Sequence, residues 1–398
     1  MSDSQDTRKR SGAGFFHVDR RTWKLLCGRG DMDQAVSYLV VASGTGPGNL
    51  VSGWSAKAVE IYTGRHRTRA KAAITELIAA GFLVRVESSP RTHPRYEIQP
   101  FEVAHGAALD AAILSSGGVF DLITRATTGD GWAENADRVA VAPYVLQGLL
   151  WPSGDLFALS PATERSMELI WFPNSLVTGV DGKPSPVRRL RAAGDLWALR
   201  LLVDLYSAQN LSMDSGISRA ALRADYTRKE YVRRARHVVW SFSFGVTRAY
   251  EHPATAAFWQ AASLTGEYVR ENNHFWKTVR SLVDMGLLVC VPHLAENSNN
   301  DCELIHGFGW KGVGEAYERE LKEAADSAAA RLVPEGWPGK VNFMVPVCDT
   351  QTEVQMVGVY RLTYRPQTGV AADWMRRLGE TTRHFLSTYS EIQPARGT

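Results

Sequence analysis

Residues 65–87 read RHRTRAKAAITELIAAGFLVRVE, and this stretch decides what the N-terminal part of the chain can fold into. Apolar side chains recur in it at helical spacing, at Ala70, Ala73, Ile74, Leu77 and Ile78. This periodicity predicts a helix with one buried face. Gly81 stands where that helix should end, because glycine adopts the left-handed conformation that closes helices. The letters that follow, FLVRVE, predict a strand.

Outward from this stretch, the sequence predicts two more helices and a second strand. Apolar periodicity indicates one helix over Asp31–Ser43 and another over Ser55–Thr63, with a turn at Gly64. Arg95–Gln99 reads as a strand, and the segment SSPRTHP before it contains two prolines, which fit a loop. The predicted order is therefore helix, helix, turn, helix, strand, basic loop, strand.

This order, over residues 31–99, resembles the winged helix-turn-helix family. The most specific match is the helix end Leu77-x3-Gly81-Phe82-Leu83-Val84, where the glycine lets an apolar strand turn back onto the core. The resemblance implies that the third helix enters the major groove of DNA and that the hairpin, or wing, contacts the backbone.

Basic residues cluster where the resemblance places the reading end of the third helix. Arginine can donate two hydrogen bonds to guanine, and neighbouring cations can neutralise phosphates. We expect Arg65, Arg67 and Arg69 to read bases, and the arm Arg8–Arg10, the wing and Lys57 to set register. The expected DNA-binding residues of this unit are Lys57, Arg65, His66, Arg67, Thr68, Arg69, Lys71, Arg91, His93 and Arg95. The alternative is that the charge run is a solvated helix face.

A second copy of the pattern appears when the chain is compared with itself at an offset of 205 residues. Trp54, Leu77 and Gly81 then coincide with Trp259, Leu282 and Gly286. The copy would take its first helix from Asp195–Ala208, its strands from Leu287–Val291 and Glu303–His306, and its wing from AENSNND between them.

The DNA-facing surface of the second copy stays open at this level. By alignment it consists of Asn272, Asn273, His274, Lys277 and Arg280, where asparagine suits adenine. Residues 217–240 can also be interpreted as a helix-turn-helix, and their basic run includes Arg228, Lys229 and Arg233. The alternatives are that this half serves dimerisation and that the run is a solvated helix.

The predicted fold class is α+β, with two winged-helix units, an intervening α+β region and a C-terminal hairpin-helix extension. Other elements predicted are strands at Arg138–Val145 and Glu168–Phe172, an exposed linker at 183–191, a hairpin of Gly339–Cys348 with Val354–Tyr364, and a helix over Ala371–Ser387. The predicted divisions are a disordered basic arm (1–14), the first winged-helix domain (15–105), the middle region and linker (106–192), the second winged-helix domain with its insertion (193–315) and the C-terminal region (316–398).

The charge distribution points to the N-terminal part as the place where a polyanion would bind. The chain of 398 residues has a net charge of +3, but residues 1–100 carry 15 Lys and Arg against 9 Asp and Glu, whereas the rest carries 30 against 33. No stretch approaches the roughly 20 apolar residues of a membrane helix. The polar start also lacks the apolar core of a secretory signal, so we expect a cytoplasmic protein without membrane contact.

Metal and enzyme signatures are weak. Cys290, His293, Cys302 and His306 could supply the two thiolates and two imidazoles of a zinc site. Their spacing is unusual, however, and cysteines on strands are more often buried apolar residues, so we expect neither metal nor cofactor. No phosphate-binding loop, HExxH or GxSxG motif is present in the sequence, and we expect no enzymatic activity.

The predicted function is sequence-specific binding of double-stranded DNA. Two winged-helix units in tandem resemble theta-type plasmid replication initiators in architecture, which implies binding to repeated origin sequences. The resemblance also implies a homodimer and host replication or transcription proteins as partners. The alternatives are a transcriptional regulator of the winged-helix class and a protein-docking module without DNA binding.

Overall fold

The structure is a computed structural model. It describes residues 14–114, 122, 125–129, 140–141, 145, 150–153, 156–159, 169–180, 182–211, 216–234, 236–259, 274–310, 312–333, 341–350, 353–365 and 369–392. The predicted arm at residues 1–14 lies outside this part, apart from Gly14.

The chain forms two compact units. It contains both helices and antiparallel strands, which confirms the α+β class. Unit 1 comprises Met1–Ser207, Ala256–Asp284 and Tyr364–Pro366. Unit 2 comprises Ala208–Thr255, Met285–Thr363 and Gln367–Thr398.

Unit 1 is mainly helical. Its helices are α1 (Arg20–Gly28), α2 (Met32–Ser43), α3 (Ala56–Thr63), α4 (Arg67–Ala79), α5 (Phe101–Leu114), α6 (Ser175–Thr178), α7 (Pro186–Ala193), α8 (Leu196–Tyr206) and α9 (His274–Asp284). Its strands are β1 (Phe15–Asp19), β2 (Val51–Ser52), β3 (Leu83–Arg85), β4 (Tyr96–Ile98), β5 (Leu150–Ser153), β6 (Leu156–Leu159) and β7 (Leu169–Pro173). The strands pair as three small sheets, β1-β7, β2-β4-β3 and β5-β6.

The elements predicted around residues 31–99 are confirmed. Asp31 caps α2, with its side chain accepting a hydrogen bond from the backbone N–H of Gln34 at 2.8 Å. Gly64 closes α3 with φ at 70°, and Gly81 follows α4 with φ at 75°, in the left-handed region that favours glycine. A strand that the sequence did not predict, β2, adds to β4 and completes a three-stranded antiparallel sheet.

The buried face of α4 recurs in α9. The buried residues of α4 are Ala70, Ala73, Ile74 and Leu77, and those of α9 are Phe275, Thr278, Val279 and Leu282. Each pair is 205 residues apart, and Gly286 also takes a positive φ, at 62°. Val283, which lies 205 residues after Ile78, is 41% exposed. Although the helical repeat is real, α9 belongs to unit 1, whereas the strands that follow it belong to unit 2.

Two predictions for the region between the two predicted winged-helix units need correction. The expected linker at 183–191 contains most of α7, because Ser185 caps the helix, Pro186 fits its first turn and Gly194 ends it with φ at 69°. The expected strand Arg138–Val145 lies mostly outside the described residues, and the described residues Ala140, Val141 and Val145 are helical. The strand predicted at Glu168–Phe172 is confirmed as β7.

Unit 2 is built on one antiparallel sheet. Its strands are β8 (Leu222–Arg234), β9 (His237–Ala249), β10 (Leu288–Ala295), β11 (Leu304–Gly307), β12 (Phe343–Cys348) and β13 (Gln355–Leu362), and its helices are α10 (Ala316–Leu332) and α11 (Gly369–Glu391). The strand order is β11-β10-β13-β8-β9-β12. The helix predicted over Ala371–Ser387 is confirmed within α11. The helix α10 packs on β12, and its buried residues join a core with Phe242 and Phe343 of the sheet.

The sheet corrects two interpretations. Residues 217–240 form most of the β8–β9 hairpin rather than a helix-turn-helix, because β8 gains ladder partners on both sides, from β9 and from β13. The strands β12 and β13 exist as predicted, but they do not form a hairpin. Instead, β12 pairs with β9, and β13 lies between β10 and β8 and pairs with both.

A buried charged cluster connects α10 to the sheet. Arg361 of β13 donates hydrogen bonds from Nη1 to Glu318 Oε1 at 2.8 Å and Oε2 at 3.0 Å, and it contacts His293 Nε2 from Nη2 at 2.9 Å. Glu318 is fully buried and Arg361 is 2% exposed. Because His293 Nδ1 lies 2.8 Å from the carbonyl of Val291, it carries the proton and leaves Nε2 to accept from Arg361. Burial and the Arg361 charge lower the pKa of His293 well below its usual value.

Candidate nucleic-acid interface

The exposed face of α4 is basic at its N-terminal end. Burial of the apolar stripe turns Arg67, Arg69 and Lys71 to the solvent, and all three are exposed. Residues 65–75 contain no Asp or Glu. The N-terminus of a helix also carries a partial positive charge, which favours anions there. The surface therefore combines cationic side chains with the positive end of the helix dipole.

Most of these cations are available to a ligand. Among the residues that the structure describes, the side chains of Lys57, Arg67, Arg69 and Lys71 make no hydrogen bond or ion pair. Arg65 differs, because its Nε donates to Asp33 Oδ2 of α2 at 2.8 Å. The structure thus places Arg65 at the edge of the basic surface, held by a carboxylate.

The start of α4 is fixed by His66. Its Nδ1 accepts a hydrogen bond from the backbone N–H of Thr68 at 3.3 Å, and both residues are exposed. A histidine caps a helix in this way only while Nδ1 is unprotonated. Thr68 lies in the first turn beside Arg67, with its hydroxyl available to a polar ligand.

The loop between β3 and β4 presents the second group of predicted residues. It begins with a backbone pair in which Val86 N–H donates to the carbonyl of Arg95 at 3.0 Å, and the tip turns where His93 N–H donates to the carbonyl of Pro90 at 3.2 Å. Arg91, His93 and Arg95 are all exposed. Both predicted surfaces of this unit thus belong to one compact body.

The surface predicted for the second copy lies only partly within the described residues. Asn272 and Asn273 lie outside the described residues. His274 lies against aromatic rings, with its centroid 5.2 Å from that of Trp197. Lys277 and Arg280 are exposed on α9.

The basic run at 228–233 lies on a strand. Arg228 places its guanidinium 4.3 Å from the ring centroid of Trp240, and Arg233 forms an ion pair with Glu230 at 2.9 Å. Lys229 is exposed on β8. Since neighbouring residues on a strand point to opposite faces, the run does not form a single basic stripe.

The cysteine and histidine residues considered for zinc are engaged elsewhere. Cys302 Sγ accepts a hydrogen bond from Arg219 Nη1 at 2.9 Å, and His306 Nε2 lies 3.1 Å from the Tyr389 hydroxyl. Burial raises the pKa of the Cys290 thiol to about 12 and lowers the pKa of His306 to about 3. Within the described ranges, no group of three or more His, Cys, Asp or Glu side chains is placed to hold a metal ion.

A search of the described helices for membrane spans finds none with the length and apolar character required. Comparison with protein-family models, with curated protein sequences and with solved structures gives no significant match to this chain.

Sequence reasoning missed one polar site, a cleft in unit 2 at Arg223, Tyr226 and Arg248. These residues come together through the pairing of β8 with β9 and β13. A helical interpretation of residues 217–240 does not predict that pairing. The sequence signal for the cleft is the spacing of Arg223 and Asp225, because residues two apart on a strand lie on the same face.

Proposed function

We propose that the chain is a sequence-specific double-stranded DNA-binding protein, and that α2 to α4 with the β2-β4-β3 sheet form a winged helix whose third helix is α4. The observation that carries the proposal is the acid-free basic face at the start of α4, whose cations have no partner among the described residues. Such an arrangement supports major-groove reading, because arginine and lysine pair with guanine and phosphate.

In this account the residues divide into two roles. Arg67 and Arg69 contact base edges, and Lys57, Lys71 and the loop residues Arg91 and Arg95 contact phosphates. Arg65, held by Asp33, adds positive charge beside the helix. The repeat of the α4 pattern in α9 extends the proposal to a second contact within unit 1, at His274, Lys277 and Arg280. In unit 2, the β8 cations Arg228, Lys229 and Arg233 are proposed separately as phosphate contacts. The proposed output is replication initiation on a plasmid or mobile element.

The division of roles is tested by alanine variants at Arg67, Arg69 and Arg91. Loss of a base contact should cost about 1–3 kcal/mol on the specific duplex and relax the preference at one position. Arg91→Ala should instead weaken specific and random duplexes alike and reduce the salt slope by about one. Binding is measured by fluorescence anisotropy at several salt concentrations. The matched control is Arg376→Ala, which removes an exposed arginine on α11 that pairs with Glu380.

Equal losses on specific and random duplex for all three variants would refute this division of roles. A chain whose affinity for DNA does not depend on salt would instead favour the docking alternative, because phosphate contacts make binding salt-dependent.

A further inference from the structure

A cleft opens in unit 2 where the β8–β9 hairpin separates from β13. The strand β13 pairs with β8 only from Arg223↔Val359 to Asp225↔Val357, whereas β8 continues to Arg234 against β9. Beside the last of these pairs lies a cleft of about 430 Å³. Its polar lining includes Arg223, Asp225, Tyr226, Arg248, Tyr250 and Gln355.

The cleft carries an excess of positive charge. Arg223 and Arg248 stand directly opposite each other in the β8–β9 ladder. Both contact one carboxylate, since Arg223 Nε lies 2.8 Å from Asp225 Oδ1 and Arg248 Nε donates to Asp225 Oδ2. Asp225 is the one acidic residue among those that line the cleft in the described part of the chain. Two guanidinium groups therefore share a single negative charge.

One of the two arginines is held in place by its neighbours. Arg223 Nη1 donates to the carbonyl of Ser298 and to Asn300 Oδ1, both at 2.7 Å, and its guanidinium lies 5.8 Å from the ring centroid of Tyr250. The side chain of Arg223 is only 11% exposed, whereas that of Arg248 is 56% exposed. The cleft thus combines a fixed guanidinium with an accessible one.

Several hydrogen-bond donors of the cleft have no acceptor among the described residues. These are Arg223 Nη2, both terminal nitrogens of Arg248, the Tyr226 hydroxyl and the Gln355 amide. Burial raises the pKa of Tyr226, so its hydroxyl keeps its proton and can donate. A net positive charge together with donors on three strands fits an anion with several acceptor oxygens.

We propose that this cleft binds a phosphate group. Phosphate offers a tetrahedral set of strong acceptors and suits paired arginines, whereas a carboxylate would be satisfied by one of them. The phosphate can belong to a free phosphorylated small molecule or to a nucleic-acid backbone. The proposal stands on unit 2 alone and does not depend on α4.

The test is isothermal titration of the full chain with inorganic phosphate and with adenosine 5′-monophosphate, at constant ionic strength set with chloride. We expect saturable binding that sulfate displaces. Arg248→Ala should weaken it at least tenfold and Tyr226→Phe at least threefold, whereas Arg376→Ala should stay within twofold. Arg248 is exposed, so its variant should fold, and circular dichroism checks this.

Duplex DNA titrated in parallel distinguishes the two sources. With a backbone phosphate in the cleft, Arg248→Ala should weaken DNA binding five- to tenfold and lower the salt slope by about one. With a small-molecule ligand, DNA affinity should stay within twofold while phosphate binding is lost. The site is overturned if none of the three probes depends on Arg248, or if Arg376→Ala has the same effect. Failure of the α4 proposal would appear separately, as DNA binding that is insensitive to Arg67→Ala.

Discussion

The buried pair of Arg361 and Glu318 should be strongly coupled in stability. Glu318→Gln removes the carboxylate charge with little change in volume, and leaves the Arg361 guanidinium buried at 2% exposure without a counter-charge. Breaking a buried ion pair from one side typically costs about 3–5 kcal/mol. Arg361→Met leaves the opposite charge uncompensated and also removes the donor to His293, so it should cost at least as much.

The double variant should be less destabilised than either single variant. With both charges gone, what remains is the loss of the hydrogen bonds to Glu318 and His293, roughly 1–3 kcal/mol. The amide oxygen of the introduced glutamine can still accept from the backbone N–H of Glu315, which in the native chain donates to Glu318 Oε2 at 2.7 Å. A cycle of this kind isolates the pairwise coupling.

The assay is hydrogen exchange of the β13 amides under increasing urea, because it reports the stability of unit 2 even if the two units unfold separately. A double variant whose loss equals the sum of the two single losses would refute the reasoning, since the two charges would then act independently.

Three further predictions concern the packing of both units. Gly307→Ala should destabilise unit 2 by about 1–3 kcal/mol, because a Cβ there would lie 2.5 Å from Glu318 Oε1. Hydrogen exchange measures this loss, and a variant as stable as the native chain would contradict the close contact between residue 307 and Glu318. Because burial lowers the pKa of His306 to about 3, the unfolded state binds its proton first, and stability should fall as pH drops below about 6.5, by up to about 1.4 kcal/mol per pH unit. Urea unfolding at pH 7 and pH 5 should show a smaller loss of stability for His306→Gln than for the native chain. Equal losses would contradict the role given to His306. Leu77→Ala should cost about 2–5 kcal/mol, because Leu77 is fully buried in α4; exchange of the α4 amides checks it, with exposed Ala72→Ser as the control.

The elements that local signals specify could be predicted from the sequence. Such signals act within one or two turns of chain: they are the apolar periodicity of α2 and α4 and the glycines after α3 and α4. The same kind of signal is present at α7, in Ser185, Pro186 and Gly194, but the prolines and charges of that segment also fit an exposed linker.

Long-range pairing could not be predicted in this way. The basic run of β8 fits a solvated helix as well as a strand, and only the ladder with β13, which joins Arg223 to Val359, decides between them. The same limit applies to the candidate sites. Exposure of Arg67 and Arg69 followed from the helical stripe, whereas the hydrogen bond of Arg65 to Asp33 joins residues 32 positions apart. The phosphate cleft depends entirely on strand register.

The most direct test of DNA binding is selection of bound fragments from the protein's own genome or replicon, repeated at two salt concentrations. We predict enrichment of a defined site at both, stronger at low salt, and loss of that enrichment in the Arg67→Ala and Arg69→Ala double variant but not in Arg376→Ala. Direct repeats beside an AT-rich stretch would match replication initiation, and a single inverted repeat at a promoter would match a transcriptional regulator. Recovery of no enriched fragment at either salt concentration would contradict the account.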